Sequence, residues 1–435
     1  IGLLREFKAL GFTMLRHVLW IAEVFFILGV CLGIGRSVLL IGLSYFRRSP
    51  PAESGHQVGS VGVVIAAHNE EKVILNTVES VLGSTRSDLK ILIVDDGSTD
   101  GTYELCKSRL AGNPRVSVIT QPNRGKAAAL NNGFRLLETD IIVALDADTI
   151  FLNDTIELLV RHFEDPLVAA VSGNAKVGNR ETVLTKLQAL EYITAQNMDR
   201  RAFDALNCIT VVPGAVGAWR RDRVLEAGGY LLDTLAEDAD LTVRLIRNGY
   251  RVAYEDRAIA LTEAPETVAQ FLKQRFRWMF GMLQVAAKHS GAMKLQDSKT
   301  MGLVGLPNII LFQVLFPLLA PLADLMALGI LLDMATRLAT NSADINAAQS
   351  LTFLGMFFAF LLLDALTALI ACKHEKRENP WLLLWILPQR FFYRQLLYLV
   401  AIRAALVAIR GSVVGWGTLT RSASVSVDQE AKWSH

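Results

Sequence analysis

The sequence predicts an α/β domain with a mostly parallel sheet, set between α-helical membrane segments. Composition supplies the first observation: 52% of the 435 residues are hydrophobic, and mean hydropathy is +0.34, whereas an ordinary soluble domain holds about 45–50% apolar residues even with glycine counted. The second is that this surplus collects in long runs near both ends. About four spans of about 25 residues absorb it and leave the remainder at roughly 44% apolar, an ordinary soluble value. The third is that strand-like and helix-like stretches alternate between those runs. The arithmetic excludes disorder, a coiled coil, a collagen-like chain and a small disulfide scaffold, and argues against an all-membrane transporter. With 44 basic and 42 acidic residues the formal charge is +2, so no general nucleic-acid-binding surface is expected. Cys31, Cys106, Cys208 and Cys372 are scattered without metal-ligand spacing and read as free thiols in a chain whose main domain faces a reducing cytoplasm.

Val18 to Phe46 is the first apolar run, interrupted by Glu23 and Arg36 and closed by Arg47-Arg48-Ser49-Pro50-Pro51. It is long enough to span a bilayer, and the arginine pair puts this end on the cytoplasmic side, although Arg5, Lys8 and Arg16 reduce the contrast. Leu303 to Leu332 carries Asp324 and three prolines, Pro307, Pro317 and Pro321, which predict a kinked spanning helix. Leu351 to Cys372 carries Asp364. The Asp333–Ser350 loop has one basic residue, while Lys373 to Arg377 is basic, placing the first outside and the second inside. Trp381 to Ile409 contains Arg390, Arg394 and Arg403, which either line a polar path, bind lipid headgroups or mark an interfacial helix. Asp324 and Asp364 are either helix–helix contacts or pore positions. The expected divisions are 1–56, a membrane segment and linker; 57–298, the α/β domain; 299–410, membrane or interfacial helices; and 411–435, a tail. The chain starts at Ile1 without a secretory cleavage pattern and is expected to be the carboxyl part of a longer polypeptide.

Within the middle division, Val61–Ala67, Leu89–Val94, Val116–Thr120 and Ile141–Leu145 are buried-strand runs. Lys72–Leu82, Thr102–Leu110 and Lys126–Leu137 are the helices between them. Such repetition implies right-handed crossovers and a sheet covered on both faces, with ligands bound outside the carboxyl ends of the strands. Polar clusters fall at those ends: His68-Asn69-Glu70, Asp95-Asp96-Gly97-Ser98 and Asp146-Ala147-Asp148.

Each cluster has a bland reading. Asp146 and Asp148 supply the hard oxygens that suit Mg²⁺ or Mn²⁺ shared with substrate phosphates, yet paired aspartates are commonly turn residues. Asp95 to Gly101 can be a turn that caps the next helix. Gly125-Lys126 opens a helix, where free amides and a lysine meet an anion such as diphosphate, or the lysine is simply solvated. Glu237 and Asp238 are either a helix-start charge pair or an acid–base element, Asp238 being the better base for an incoming hydroxyl. Gln274, Arg277 and Trp278 lie on an amphipathic stretch from Thr267 to Ala287. It either rests on the membrane surface or puts Arg277 on a diphosphate and Trp278 under a sugar ring. No Walker loop or Gly-x-Gly-x-x-Gly turn is present, which removes the main support for ATPase and dehydrogenase readings.

In order and spacing, Ala67-His68-Asn69-Glu70, Asp95-Asp96-Gly97-Ser98, Gly125-Lys126, Asp146-Ala147-Asp148, Ala236-Glu237-Asp238 and Gln274-x-x-Arg277-Trp278 resemble the processive membrane glycosyltransferases of family 2. That group includes cellulose, chitin, hyaluronan and poly-N-acetylglucosamine synthases. The resemblance covers Val58 to Lys288 well and the flanking segments loosely. The tail Gly415 to Arg421 looks like that of the poly-N-acetylglucosamine branch, often fused to an outer polysaccharide deacetylase-like domain. Ala66-Ala67 replaces a usual proline-containing start, and Ala236 stands where Thr or Ser commonly precedes Glu-Asp. Neither change removes a reacting group.

The resemblance implies a GT-A (Rossmann-like) domain that inverts the anomeric centre of a nucleotide-activated sugar. Asn69 and Glu70 with Asp95 or Asp96 would sit by the nucleoside, Lys126 by the phosphates, and Asp146 with Asp148 by the metal, Mg²⁺ or Mn²⁺. Asp238 would be the general base beside Glu237. Gln274, Arg277 and Trp278 would close over donor and acceptor, and Pro213, Gly214 and Ala215 would line the acceptor side. The implied partners are a UDP-sugar, a growing polysaccharide, the lipid bilayer, and either a small membrane subunit or a fused outer carbohydrate-modifying domain. Localisation would be a multi-pass inner (plasma) membrane protein with the catalytic domain cytoplasmic. The expected product is poly-N-acetylglucosamine from UDP-N-acetylglucosamine. The alternatives are another polymer of hyaluronan, chitin or glucan type, a single transfer to polyprenyl phosphate, or an inactive membrane scaffold that retains nucleotide binding.

Overall fold

The structure is a computed structural model that describes residues 2–46, 58–294, 298–340, 347–375 and 378–410, with the side chains of 2–23, 293, 347, 349 and 380 excepted. The Arg47–Pro51 junction, the charges of Arg5, Lys8 and Arg16, Lys376-Arg377 and the Gly415–Arg421 tail lie outside the described residues.

Helix α1 spans Gly2–Tyr45. The α/β domain then runs β1 (Val61–Ala67), α2 (Ile74–Leu82), β2 (Lys90–Asp95), α3 (Thr102–Leu110), β3 (Val116–Thr120), α4 (Lys126–Leu136) and β4 (Ile141–Asp146). These match the seven elements expected from hydrophobic patterning to within two residues at either end. β1, β2 and β4 are near-continuous apolar runs rich in Val and Ile, almost wholly buried, as strands covered on both faces require. Pairing is parallel for β1 with β2 and β4, and for β2 with β3. The register sets Ala67 beside Asp95 and Ala66 beside Asp146, so the acids at these strand ends share one edge.

The second half is β5 (Ile150–Phe151), α5 (Thr155–Val160), β6 (Val168–Val177), α6 (Val183–Glu191), α7 (Met198–Asp204), β7 (Gly217–Arg220), α8 (Arg221–Glu226), α9 (Glu237–Arg247), β8 (Arg251–Thr262) and α10 (Val268–Lys288). The sheet has eight strands in the order β3-β2-β1-β4-β7-β6-β8-β5. β7 is antiparallel to β4 and β6, and β5 to β8, while β6 and β8 are parallel. A six-residue π-helical stretch, Tyr192–Asn197, joins α6 to α7.

Among the described residues, four helical segments are long and apolar enough to cross a membrane: Val24–Tyr45, Met301–Thr340, Ser350–His374 and Trp381–Ile409. Leu325, Leu338 and Leu362 are among the large side chains they leave exposed, the face that lipid would cover. Wide π-turns at 301–305 and 309–315 precede the Phe316–Thr340 helix, which contains Pro321. Asp324 and Asp364 are helix–helix contacts. Asp324 accepts from Arg390 (2.8 Å) and Tyr398 (3.1 Å), and Asp364 pairs with Arg394. Arg403 lies over the Phe276 ring of α10, 4.6 Å from its centre.

The turn after the Ala347–His374 helix returns to the sheet. Glu375 accepts from Lys176 (2.7 Å) and Asn174 (2.9 Å) in the middle of β6, and Glu378 accepts from Lys176 (3.0 Å) and Arg180 (2.6 Å). Lys176 is only 2% exposed, so its desolvation is offset by these two carboxylates. Ser44, near the end of α1, meets His374 at 3.2 Å, and Tyr45 packs against the same ring. The ends of these two spans therefore stand on one side, beside the sheet.

Candidate active site

Two segments at the carboxyl edge hold the nucleoside-side candidates. Asn69 adopts a left-handed φ of 59°, which Asn tolerates better than most residues, and its Oδ1 accepts from Thr99 N (2.8 Å) and Thr99 Oγ1 (3.2 Å). Glu70 N donates to Thr102 Oγ1 at 2.9 Å. Asp95 accepts through Oδ2 from Thr120 Oγ1 (2.8 Å) and Ser98 N (3.3 Å), and its buried Oδ1 has no hydrogen-bond partner among the described residues. Asp96 is fully engaged by the next turn, accepting from Gly125 N (2.7 Å), Arg124 N (3.0 Å) and Gln121 Nε2 (2.8 Å). It thus fixes the start of α4 and with it Lys126.

Lys126 forms an ion pair with Asp146. Burial alone would lower its pKa, but Asp146 and then Glu237 more than reverse this and hold it up at about 12. A Cβ on Gly214 would run into Lys126 Nζ and come within 3.3 Å of Asp146 Oδ1. A side chain at that crossing would push the lysine away from Asp146.

Glu237 and Asp238 begin α9, and both carboxyls rise. Burial pushes Glu237 up to about 7, with the Asp238 charge adding to it, and burial raises Asp238 as well. Thr242 Oγ1 donates to the Asp238 carbonyl (2.7 Å) and accepts from Val212 N (3.0 Å), which ties Val212-Pro213-Gly214 to the acid-bearing turn. Helix α10 crosses the same turn closely. A Cβ on Gly281 would lie 2.8 Å from Ala236 N, and Gln284 Oε1 accepts from Leu235 N at 2.9 Å.

On α10, Gln274 is buried and its Oε1 accepts from Arg275 Nη1 at 2.5 Å. Arg275, silent in the sequence, is the organiser of this face. It pairs with Glu191 at 2.5 Å, meets the Tyr393 hydroxyl at 3.4 Å, and stands 4.2 Å over the Trp278 ring. One face of Trp278 is therefore occupied from within. Its place inside the Gln274–Trp278 motif was the available signal, but sequence does not distinguish a buried arginine from a solvated one.

A cavity of about 440 Å³ joins these parts. Lys126, Asp146, Glu237, Asp238, Gln274, Arg277, Trp278, Pro213, Gly214 and Ala215 line it, together with Arg36, Phe312 and Pro317 from the membrane-side helices. Asn69, Glu70, Asp95, Asp96 and Asp148 stand outside it, along the strand ends. Asp146 closes β4 and Asp148 follows two residues on, buried; as hard oxygen donors the two suit a divalent ion. Among the described residues no cluster of three or more His, Cys, Asp or Glu forms a complete cage, and Mg²⁺ is held characteristically by one or two carboxylates plus substrate phosphates.

Residues 62–227 match the family model described as glycosyl transferase family 2. A poly-beta-1,6-N-acetyl-D-glucosamine synthase of Staphylococcus aureus (strain COL) is 31% identical over 240 residues, 55% of this chain and 58% of that protein. Its counterpart in Staphylococcus epidermidis (strain ATCC 35984) is 30% identical over 238 residues, 54% of this chain and 58% of that protein. The chain thus spans less than two thirds of the length of these curated relatives. Among solved structures, the mannosyltransferase PcManGT from Pyrobaculum calidifontis, in complex with GDP-Man and Mn²⁺, superposes with a TM-score of 0.64 at 19% identity, covering 90% of this chain and all of that one. That likeness establishes a shared GT-A-like fold. The chain carries a family 2 glycosyltransferase domain, similar in sequence to the poly-β-1,6-N-acetylglucosamine synthases and joined to four helical segments long and apolar enough to cross a membrane.

Proposed function

We propose that this protein is an inverting, processive polysaccharide synthase that extends β-linked poly-N-acetylglucosamine from UDP-N-acetylglucosamine at the inner face of the plasma membrane. The observation that carries the reading is the single cavity in which a phosphate-side lysine, an acid pair raised by burial and an Arg–Trp face meet side chains from membrane-side helices. A product formed there has a path toward the bilayer.

Asp238 takes the proton from the acceptor hydroxyl as its oxygen forms a bond to the donor C1. The bond between C1 and the diphosphate oxygen breaks on the opposite side, and UDP leaves with that electron pair. Lys126 and Arg277 hold the diphosphate, with Gln274 beside them; the free face of Trp278 stacks on the sugar. Pro213, Gly214 and Ala215 border the acceptor. Asn69, Glu70 and Asp95 serve the nucleoside, while Asp96 acts through the Gly125–Lys126 turn. Asp146 and Asp148 would hold Mg²⁺ or Mn²⁺, which when bound neutralises charge on the leaving diphosphate. The related fold described with Mn²⁺ and GDP-Man supports that assignment. Residues 57–298 form the catalytic division, on the cytoplasmic side. A small membrane subunit or a fused outer carbohydrate-modifying domain would complete the export path.

The test is incubation of the purified full chain in lipid with single UDP-sugars and Mg²⁺ or Mn²⁺. Polymer from UDP-N-acetylglucosamine that disappears with EDTA and returns with metal is expected. Failure of every UDP-sugar to give polymer at any metal concentration would falsify the synthase reading, and a lone lipid-linked sugar would replace it with single transfer to polyprenyl phosphate.

A further inference from the structure

Arg200, on α7, is 5% exposed and lines the same cavity. Lys126, Arg36 and Arg275 each have a carboxylate partner there, Asp146, Asp199 and Glu191 respectively. Arg200 differs. Among the described residues its Nη1 donates to Asn197 Oδ1 at 3.1 Å, its Nε has no partner, and no carboxylate reaches ion-pair distance. Asp238 and Asp199 act on it only through space, and Tyr192 and Tyr254 stand nearby. A guanidinium held out of water with most of its N–H groups unspent is costly unless something brings oxygen to it.

We propose that Arg200 is an acceptor-recognition residue, donating hydrogen bonds to the amide carbonyl of the terminal 2-acetamido sugar whose hydroxyl Asp238 deprotonates. The inference rests on the synthase reading above. Its position selects the acceptor over the donor: on the phosphate side Lys126 is paired with Asp146 and acts on both Glu237 and Asp238, whereas Arg200 lines the cavity from α7, next in the chain to Asp199, the residue that Arg36 grips from helix α1 at 2.7 and 2.8 Å, and feels the charge of Asp238. Charge selects a neutral sugar over a lipid phosphate. Two acids already act on Arg200, so it lacks oxygen acceptors more than counter-charge, and a phosphate here would be repelled by their charge. Arg36 is committed to Asp199 and Asn308 and adds no second clamp.

The test uses the full chain in detergent, as wild type, Arg200→Ala and Arg200→Lys. Binding is measured for a β-1,6-linked N-acetylglucosamine oligosaccharide, its deacetylated counterpart, UDP and a short polyprenyl phosphate. Arg200→Ala is expected to weaken the acetylated oligosaccharide by roughly tenfold to a hundredfold, the span of a lost charge-assisted hydrogen bond. It should erase the preference over the deacetylated form and leave UDP binding within about twofold of wild type. Arg200→Lys should recover part of the loss. Unchanged oligosaccharide binding in Arg200→Ala, parallel loss of UDP binding, or loss of polyprenyl phosphate binding instead would each overturn the assignment. A wild type that binds and discriminates the oligosaccharide but makes no polymer would sink the synthase reading and leave Arg200 in place.

Discussion

The two faces of α9 carry three acids within four residues, and their carboxyls move in opposite directions. Glu237 and Asp238 face the cavity, where burial dominates and both are raised. Asp240 is more fully enclosed, at 0% exposure. Burial would raise it too, but it accepts from His289 (2.8 Å), Lys288 (2.8 Å) and Arg244 (2.8 Å) and is held well below the usual carboxylate range. Arg247 in turn meets the other ring nitrogen of His289 at 2.8 Å. The difference is the supply of donors, not depth. One face leaves its acids proton-hungry; the other fastens α9 to the end of α10, the helix that bears Gln274, Arg277 and Trp278.

Removing the reactive acid should have the largest effect. Asp238→Asn is expected to lower turnover by about 10²–10⁴-fold, the usual worth of a general base, while UDP binding and thermal stability stay near wild type; a variant with full turnover would move the base elsewhere. On the opposite face, Asp240→Ala leaves buried His289 and half-buried Arg244 without their carboxylate and is expected to cost about 3 kcal/mol of stability, read by thermal or denaturant unfolding. Gly281→Ala attacks the junction between the faces. The new Cβ meets backbone at 2.8–2.9 Å, for an expected loss of about 1–3 kcal/mol and a fall in turnover at unchanged UDP affinity.

The mildest perturbation is pH. A base with a raised pKa loses its function at a higher pH, so the acid limb of kcat/KM should lie above the ordinary aspartate value of about 3.9. Asp240 has the opposite sign. Its lowered pKa gives stability that is complete above about 3.9 and is lost only as pH falls through the folded value. Activity should therefore fail on acidification while the protein remains folded; a coincident loss of both would erase the distinction between the faces.

Strands β1, β2 and β4 were legible because a strand buried on both faces is an apolar run in any context. β6 and β8 were not. Asn174 and Lys176 lie in the interior of β6 and look like solvated residues until Glu375 and Glu378 arrive from about 200 positions away. The acids of the site were readable because they terminate legible strands or begin a legible helix. Arg275 and Arg200 were missed for the same reason as Lys176: burial of a cation depends on partners that local sequence does not show. Asp324 and Asp364 have two readings in the sequence because their partners, Arg390, Tyr398 and Arg394, lie on a helix 30 to 74 positions away.

The grip of Glu375 and Glu378 on β6 bears on modularity. Composition suggests a soluble enzyme mounted on a membrane anchor, two parts separable by cutting after Ser298. Such a cut would strip Lys176 and Arg180 of carboxylates that reach them from beyond the Ala347–His374 helix, so the sheet's interior borrows residues from the far end of the chain. The α/β domain therefore draws part of its internal charge balance from the turn between the last two long helices. Truncation or exchange of that domain has to carry the turn with it.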